Sequence, residues 1–288
     1  MNQLIKTDKG DIECSFYGQG EPTLFVHGGH SNCKERLFHK GFDVTKFRLI
    51  TPSRPGYGRT PLTEANQSPK GAADLLNCLL DKLNLIDVIV IGISAGGPTA
   101  LELAAGYPVR IKKLVLISAV TQDWLLPTDK AYKIGKQLFS PKIESVTWLL
   151  FRQMQSLMPS MTTRTMFREL SKYAPVTFNH SEIKELQETT IKMRSGCGFI
   201  NDLDQTISRN ILSGVACPTL ILHSEYDNSV PLNHPEKAKK NIKNSHMITY
   251  KNRWGHLLWL GEESKRPIED LKGFLATGST KMCDNRVR

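Results

Sequence analysis

Asp87-Val88-Ile89-Val90-Ile91-Gly92-Ile93-Ser94-Ala95-Gly96-Gly97 carries the strongest structural signal in the chain. Val88 to Ile91 form an unbroken run of β-branched residues, the mark of a strand buried on both faces. A G-x-S-x-G pattern follows at Gly92 to Gly96, and Gly97 to Tyr107 is then small, apolar and helix-forming. A strand passing at once into a helix forces the central residue into a strained conformation, which projects Ser94 above the sheet edge. Cβ atoms at positions 92 and 96 would collide with the sheet or the incoming helix, so both must be glycine. The same turn aims backbone N–H groups, that of Ala95 foremost, at an atom held beside Ser94.

Working outward, the same alternation repeats. Thr23 to Val26 reads as a buried strand ended by His27-Gly28-Gly29, and Phe47 to Thr51 as another ended by Pro52-Ser53-Arg54-Pro55-Gly56-Tyr57-Gly58. Gly71 to Leu85 places Ala72, Leu75, Leu76, Leu79, Leu80 and Leu83 at helical spacing, and Lys113 to Ser118 is a further strand. Strands that are apolar throughout and separated by helices predict an α/β architecture with a mostly parallel sheet. Leu4 to Thr7 and Ile12 to Tyr17, with Asp8-Lys9-Gly10 between them, predict an opening antiparallel hairpin.

Strand signals stop from Thr121 to Leu212. Helical periods take their place at Asp129 to Phe139, Ile143 to Met158, Thr163 to Tyr173 and Ser181 to Met193, punctuated by Pro127, Pro141, Pro159 and Pro175. The core pattern resumes with a strand at Pro218 to His223, a basic helix at Asn233 to Asn241, a strand at His246 to Tyr250 and a helix at Ile268 to Leu275. The expected organisation is a core of residues 1–120 and 213–276, a helical insertion over 121–212 and a polar tail over 277–288.

The 288 residues, 40% hydrophobic and 23% charged, suit a chain with a substantial core and exclude wholesale disorder. No apolar run is long enough to span a bilayer, and the N-terminus has no apolar stretch of the secretory kind. The expectation is a soluble, cytoplasmic protein. Its 38 basic and 28 acidic residues give a net charge of +10, but the cations are spread along the chain and their densest clusters, Lys237 to Lys240 and Lys112-Lys113, are short. The balance reads as a solvated basic surface that attracts anionic substrates, without the aromatic-studded patches expected for a nucleic-acid partner. Cys14, Cys33, Cys78, Cys197, Cys217 and Cys283 have no C-x-x-C or zinc-like spacing, so free thiols and no metal site are expected.

A serine hydroxyl needs a base, and the base needs an orienting acid. Among eight histidines, His256 in Arg253-Trp254-Gly255-His256 follows the last strand and can reach back over the sheet. His223 ends a strand and reads as a core or edge residue. His27 reads as structural, tying loop backbone, and His30, His39, His180, His234 and His246 as surface or packing residues. The acid belongs after a strand between Ser94 and His256, where Glu225-Tyr226-Asp227-Asn228-Ser229-Val230-Pro231 lies. Asp227 is the first choice, with Glu225 and Asp123 as alternatives. A second oxyanion donor beside Ala95 can come from the Gly29 N–H in the glycine-rich turn after Val26.

Taken in order, these motifs resemble the α/β-hydrolase fold superfamily, in its serine-nucleophile branch with a helical cap. The likeness rests on the Gly92 to Gly97 elbow, His27-Gly28-Gly29, the glycine loop Ser53 to Thr60, the acid loop Asp227 to Pro231 and Gly255-His256. It implies Ser94 as nucleophile, His256 as base, Asp227 as acid, Ala95 and Gly29 as the oxyanion hole, and residues 121–212 as a cap over the site. Serine at the elbow argues against the dehalogenases and epoxide hydrolases, which use a carboxylate nucleophile. No proline follows Gly28-Gly29, which argues against proline iminopeptidases.

The expected activity is hydrolysis of a carboxylic ester or lactone of a small molecule through an acyl-enzyme, with no cofactor and no metal. C–C bond hydrolysis of the meta-cleavage-product type and slow-turnover ligand binding on the same fold are the alternatives. Trp124, Trp148, Phe151, Met154, Met158, Phe167 and Phe199 are apolar candidates within the insertion for lining the pocket or for packing the insertion itself; Trp124, Trp148 and Phe151 are the first choice for substrate contact.

Overall fold

Eight strands join in one sheet: β1 (Asn2–Thr7), β2 (Gly10–Tyr17), β3 (Glu21–Val26), β4 (Phe47–Pro52), β5 (Val88–Ile93), β6 (Ile111–Ile117), β7 (Thr219–Ser224) and β8 (Ser245–Tyr250). Their order across the sheet is β1-β2-β4-β3-β5-β6-β7-β8. β2 pairs antiparallel with both β1 and β4, and every other pairing is parallel. This computed structural model describes residues 2–276 apart from Pro175 and Arg209; the tail expected over 277–288, with Cys283, lies outside the described residues, as does Pro175.

The apolar run of β5 is buried along its whole length because the sheet is covered on both faces. Val88 and Val90 pack with the apolar sides of α1 (Pro69–Lys82) and α2 (Gly97–Gly106). Ile89, Ile91 and Ile93 point the other way, toward Trp254, Trp259 and residues of α10 (Lys265–Ala276). α1 starts two residues earlier than its apolar spacing suggests, because Ser68 caps it by accepting the Gly71 N–H and Pro69 fills its first position. α9 (Asn233–Asn241) also stands where the sequence places a helix.

Between β6 and β7 the chain makes only helices: α3 (Lys130–Leu138), α4 (Glu144–Leu157), α5 (Pro159–Leu170), α6 (His180–Thr190), α7 (Gly198–Asp204) and α8 (Ile211–Gly214). Pro159 stands at the break between α4 and α5, where it opens α5 as its first residue. A capping box of Asn179 and Glu182 starts α6. α7 and α8 are too short to register as helical periods in the sequence.

Parallel strands deliver their C-terminal ends to one edge of the sheet, and loops leaving that edge are where an α/β sheet gathers its functional groups. The turns after β3, β5, β7 and β8 carry His27-Gly28-Gly29, Ser94, Asp227 and His256 in that order. The tightest point is Gly96, where a Cβ would lie 2.2 Å from the Val26 carbonyl oxygen and 2.5 Å from that of His27. Gly96→Ala is expected to lower the unfolding free energy by about 2–3 kcal/mol, since backbone on both sides must shift. Urea denaturation checks this, and a midpoint equal to wild type contradicts it.

Candidate active site

Ser94 sits at the β5–α2 junction with φ +49°, the left-handed conformation expected of it. A Cβ at Gly92 would lie 2.6 Å from the Ala100 side chain, and one at Gly28 would lie 2.9 Å from Ser94 Cβ. Gly28 is therefore the floor that lets the turn after β3 approach Ser94.

His256 Nε2 lies 2.9 Å from Ser94 Oγ, and its Nδ1 lies 2.9 Å from Asp227 Oδ2 and 3.1 Å from Oδ1. With Nδ1–H donating to the carboxylate, Nε2 is left to accept the serine proton. Asp227 Oδ1 also accepts the N–H groups of Ser229 and Val230 at 2.9 and 2.8 Å. Burial pushes the Asp227 carboxyl up, but His256, His223 and the Val230 N–H together outweigh it and hold the group below its ordinary value. His223 Nε2–H donates to the Val230 carbonyl at 2.9 Å and stands 3.4 Å from Asp227 Oδ2, so this strand-end histidine braces the acid loop.

The inserted helices hold the loops of this site. At the end of α5, the Leu170 carbonyl accepts the N–H groups of His256 and Asn228, and Lys172 N–H donates to Tyr226. Gly255, at φ +58°, has no room for a Cβ, which would lie 2.5 Å from the same Leu170 carbonyl.

On the other side of Ser94, the N–H groups of Gly29 and Ala95 have no protein acceptor among the described residues. The turn that presents Gly29 is fixed by its neighbours. His27 Nδ1–H donates to the Gly28 carbonyl and Nε2 accepts the Arg54 N–H, while Arg54 Nε donates to the His27 carbonyl. Burial, with Arg54 beside it, keeps His27 neutral, as an accepting Nε2 requires. The structural role expected of His27 is what is seen.

Arg54 then reaches into the insertion. Its guanidinium makes a two-pronged ion pair with Asp202 of α7, both bonds 2.7 Å, and Tyr57 Oη donates to the same carboxylate at 2.5 Å. Burial alone would depress the Arg54 guanidinium, and Asp202 more than reverses this. Sequence reasoning missed Asp202, which lies 148 residues from its partner with no local pattern to mark it. α7 also brings Phe199 over Gly29, where a Cβ would be 3.0 Å from the ring.

His30, expected as a surface or packing residue, fills the seam. Its ring lies 3.8 Å from that of Phe199, and Nδ1 bonds Ser195 Oγ at 2.8 Å. Trp148 Nε1 donates to the same Oγ at 2.8 Å, with its ring against His30, so it stands one side chain away from Gly29. Trp124 donates to the Ser229 carbonyl and shares with Ala95, Asp202 and Gln205 a cavity of about 10 Å³, room for one water. Phe151 meets the far side of Trp148, and Phe167 packs on Trp254 and Phe178. Met154 and Met158 are exposed. Of the alternative acids, Glu225 is exposed and Asp123 accepts the Ile207 N–H.

A cleft of about 530 Å³ lies elsewhere, between the 31–40 loop and α6, and neither Ser94, Asp227 nor His256 lines it. Among the described residues no cluster of His, Cys, Asp and Glu could hold a metal ion, and the five described cysteines are free. No helix of the described residues is long and apolar enough to cross a membrane.

Residues 21–260 match the family model of the alpha/beta hydrolase fold. The "Uncharacterized hydrolase YcgS" of Bacillus subtilis is 40% identical over 283 residues, covering 95% of this chain and 98% of the relative. Among solved structures, an alpha/beta hydrolase fold protein from Nakamurella multipartita superimposes with a TM-score of 0.80 at 24% identity, covering 96% of this chain and 99% of that one. An esterase from Exiguobacterium antarcticum does so at 0.71 and 19% identity, over 96% and 100%. The chain belongs to the α/β-hydrolase fold family, and it is a hydrolase.

Two stability predictions follow from the buried polar groups. Asp202→Ala strands the Arg54 charge in the interior and is expected to cost about 3–5 kcal/mol of unfolding free energy. A loss below about 1 kcal/mol in urea denaturation contradicts this reading of the pair. Burial holds His30 and His39 down to about 3 and His234 to about 4, so all three stay neutral in the fold but take up protons in the unfolded chain below about 6.5. Stability therefore falls as pH drops from about 6.5 toward 4, with an upper limit of about 1.4 kcal/mol per pH unit for each histidine. An unfolding midpoint that is the same at pH 7 and pH 5 contradicts this.

Proposed function

We propose that the protein is a serine hydrolase of carboxylic esters, lactones included, working through an acyl-enzyme on Ser94. The observation that carries this reading is the single line of hydrogen bonds from Ser94 Oγ through both nitrogens of His256 to Asp227. Ser94 Oγ attacks the carbonyl carbon as its proton passes to His256 Nε2. Asp227 fixes the tautomer and steadies the imidazolium that forms. The developing oxyanion is received by the N–H groups of Gly29 and Ala95, which have no competing acceptor among the described residues. The imidazolium then protonates the leaving alcohol, and neutral His256 activates the water that releases the acid. This sequence of steps uses no metal or cofactor.

The helical insertion acts as a cap. Phe199 over Gly29 and Trp124 beside Ala95 leave little room around the elbow, which favours a compact acyl group. The esterase activity of the Exiguobacterium antarcticum neighbour agrees with this reading.

The test is kinetic. Ser94→Ala is expected to lower kcat for p-nitrophenyl acetate by about 10⁴-fold or more while leaving the unfolding midpoint within the ordinary range for a surface change. Full activity in a folded Ser94→Ala protein contradicts the mechanism. Negligible turnover by the wild type, together with tight binding of a small ligand, favours the ligand-binding alternative.

A further inference from the structure

α4 is built inside out. Its buried side carries Glu144, Trp148 and Gln155, all tied by polar bonds: Glu144 to Arg194 Nη2 at 2.6 Å, Trp148 Nε1 to Ser195 Oγ at 2.8 Å, and Gln155 Oε1 to Thr190 Oγ1 at 2.8 Å. The opposite side carries Val146, Leu149, Leu150 and Leu157, each at least half exposed, with Leu157 at 79%. At 100° per residue these four fall within a single arc of about 100°. Met161 of α5 continues the patch and is also more than half exposed. A helix that served only to cover the core would present the reverse pattern.

The stretch of chain that carries this patch is rich in cations. Four lysines and three arginines lie between Pro127 and Arg168, against two acids, Asp129 and the buried Glu144. That stretch, about one-seventh of the chain, carries half of its net charge of +10. Lys142 and Arg164 are exposed and have no carboxylate partner among the described residues. The excess of basic residues is therefore uneven along the chain, and the exposed Lys142 and Arg164 flank or lie on the helices that carry the apolar patch.

We propose that the outer face of α4 and α5 docks on an anionic phospholipid surface. Leucines enter the headgroup boundary and the surrounding cations meet lipid phosphates, which is how amphipathic surface helices hold to membranes without spanning them. A second copy of this chain fits the same face less well, because a two-fold interface would set two such cationic sectors against each other. A nucleic acid offers nothing to the leucines. Docking would place α4 between the lipid and the site, since Trp148 on its inner side touches His30.

The experiment is vesicle flotation of the full chain, with phosphatidylcholine vesicles and with vesicles containing about one-third phosphatidylglycerol. The wild type is expected to partition at least about tenfold more strongly to the phosphatidylglycerol vesicles and to be released by added salt. A Leu150→Asp/Leu157→Asp variant and a separate Lys142→Glu/Arg164→Glu variant should each lose about tenfold or more of that binding, with unfolding midpoints near wild type. Absence of wild-type binding overturns the proposal, as does undiminished binding by folded variants. Concentration-dependent dimerisation by light scattering, abolished by the leucine substitutions and unaccompanied by vesicle binding, overturns it in favour of a copy-to-copy interface.

Discussion

The passage from β5 into α2 constrains everything around it. Because the chain turns without a loop, Gly96 must slide past the carbonyls of Val26 and His27, and Ser94 is left in a left-handed conformation that points its hydroxyl away from the sheet. Gly28 has to be bare for the neighbouring turn to reach Ser94, and in that turn the Gly29 N–H has no acceptor among the described residues. These steric demands fix one wall of the site. The other wall, His256 and Asp227, needs only a parallel sheet whose last two strand ends, those of β7 and β8, open on the same edge.

The helices between β6 and β7 are tied to the loops of the sheet at two places. Asp202 grips Arg54, which in turn holds His27 by two bonds, so one buried carboxylate of the insertion steadies the turn that carries Gly29. At the opposite end, Leu170 and Lys172 hold the acid and base loops through backbone hydrogen bonds. Substitutions in the insertion can therefore act on the chemistry of the core without touching a substrate. A buried ion pair of this kind adds little net stability compared with apolar packing, but breaking it is costly, which suits a clamp.

Much of this was legible in the sequence, for identifiable reasons. β5 is apolar throughout because it is covered on both sides, and G-x-S-x-G is readable because sterics leave glycine no substitute at Gly92 and Gly96. That Ser94, Asp227 and His256 would meet at one edge could be anticipated because each follows a strand recognisable on its own. Asp202, Tyr57 and Ser195 could not, since their meaning lies in partners far along the chain. The pocket candidates fared unevenly for the same reason. Helical spacing tells which residues share a face but not which face turns inward, and α4 turns its leucines, with Met154, to the outside.

Ser94 as the nucleophile of an ester hydrolase is tested most directly by mass spectrometry after treatment with a fluorophosphonate. One phosphonyl group per chain is expected, located on Ser94, with ester hydrolysis lost in step with labelling. Loss of activity with Ser94 unmodified, or continued hydrolysis by protein fully labelled at Ser94, would contradict it.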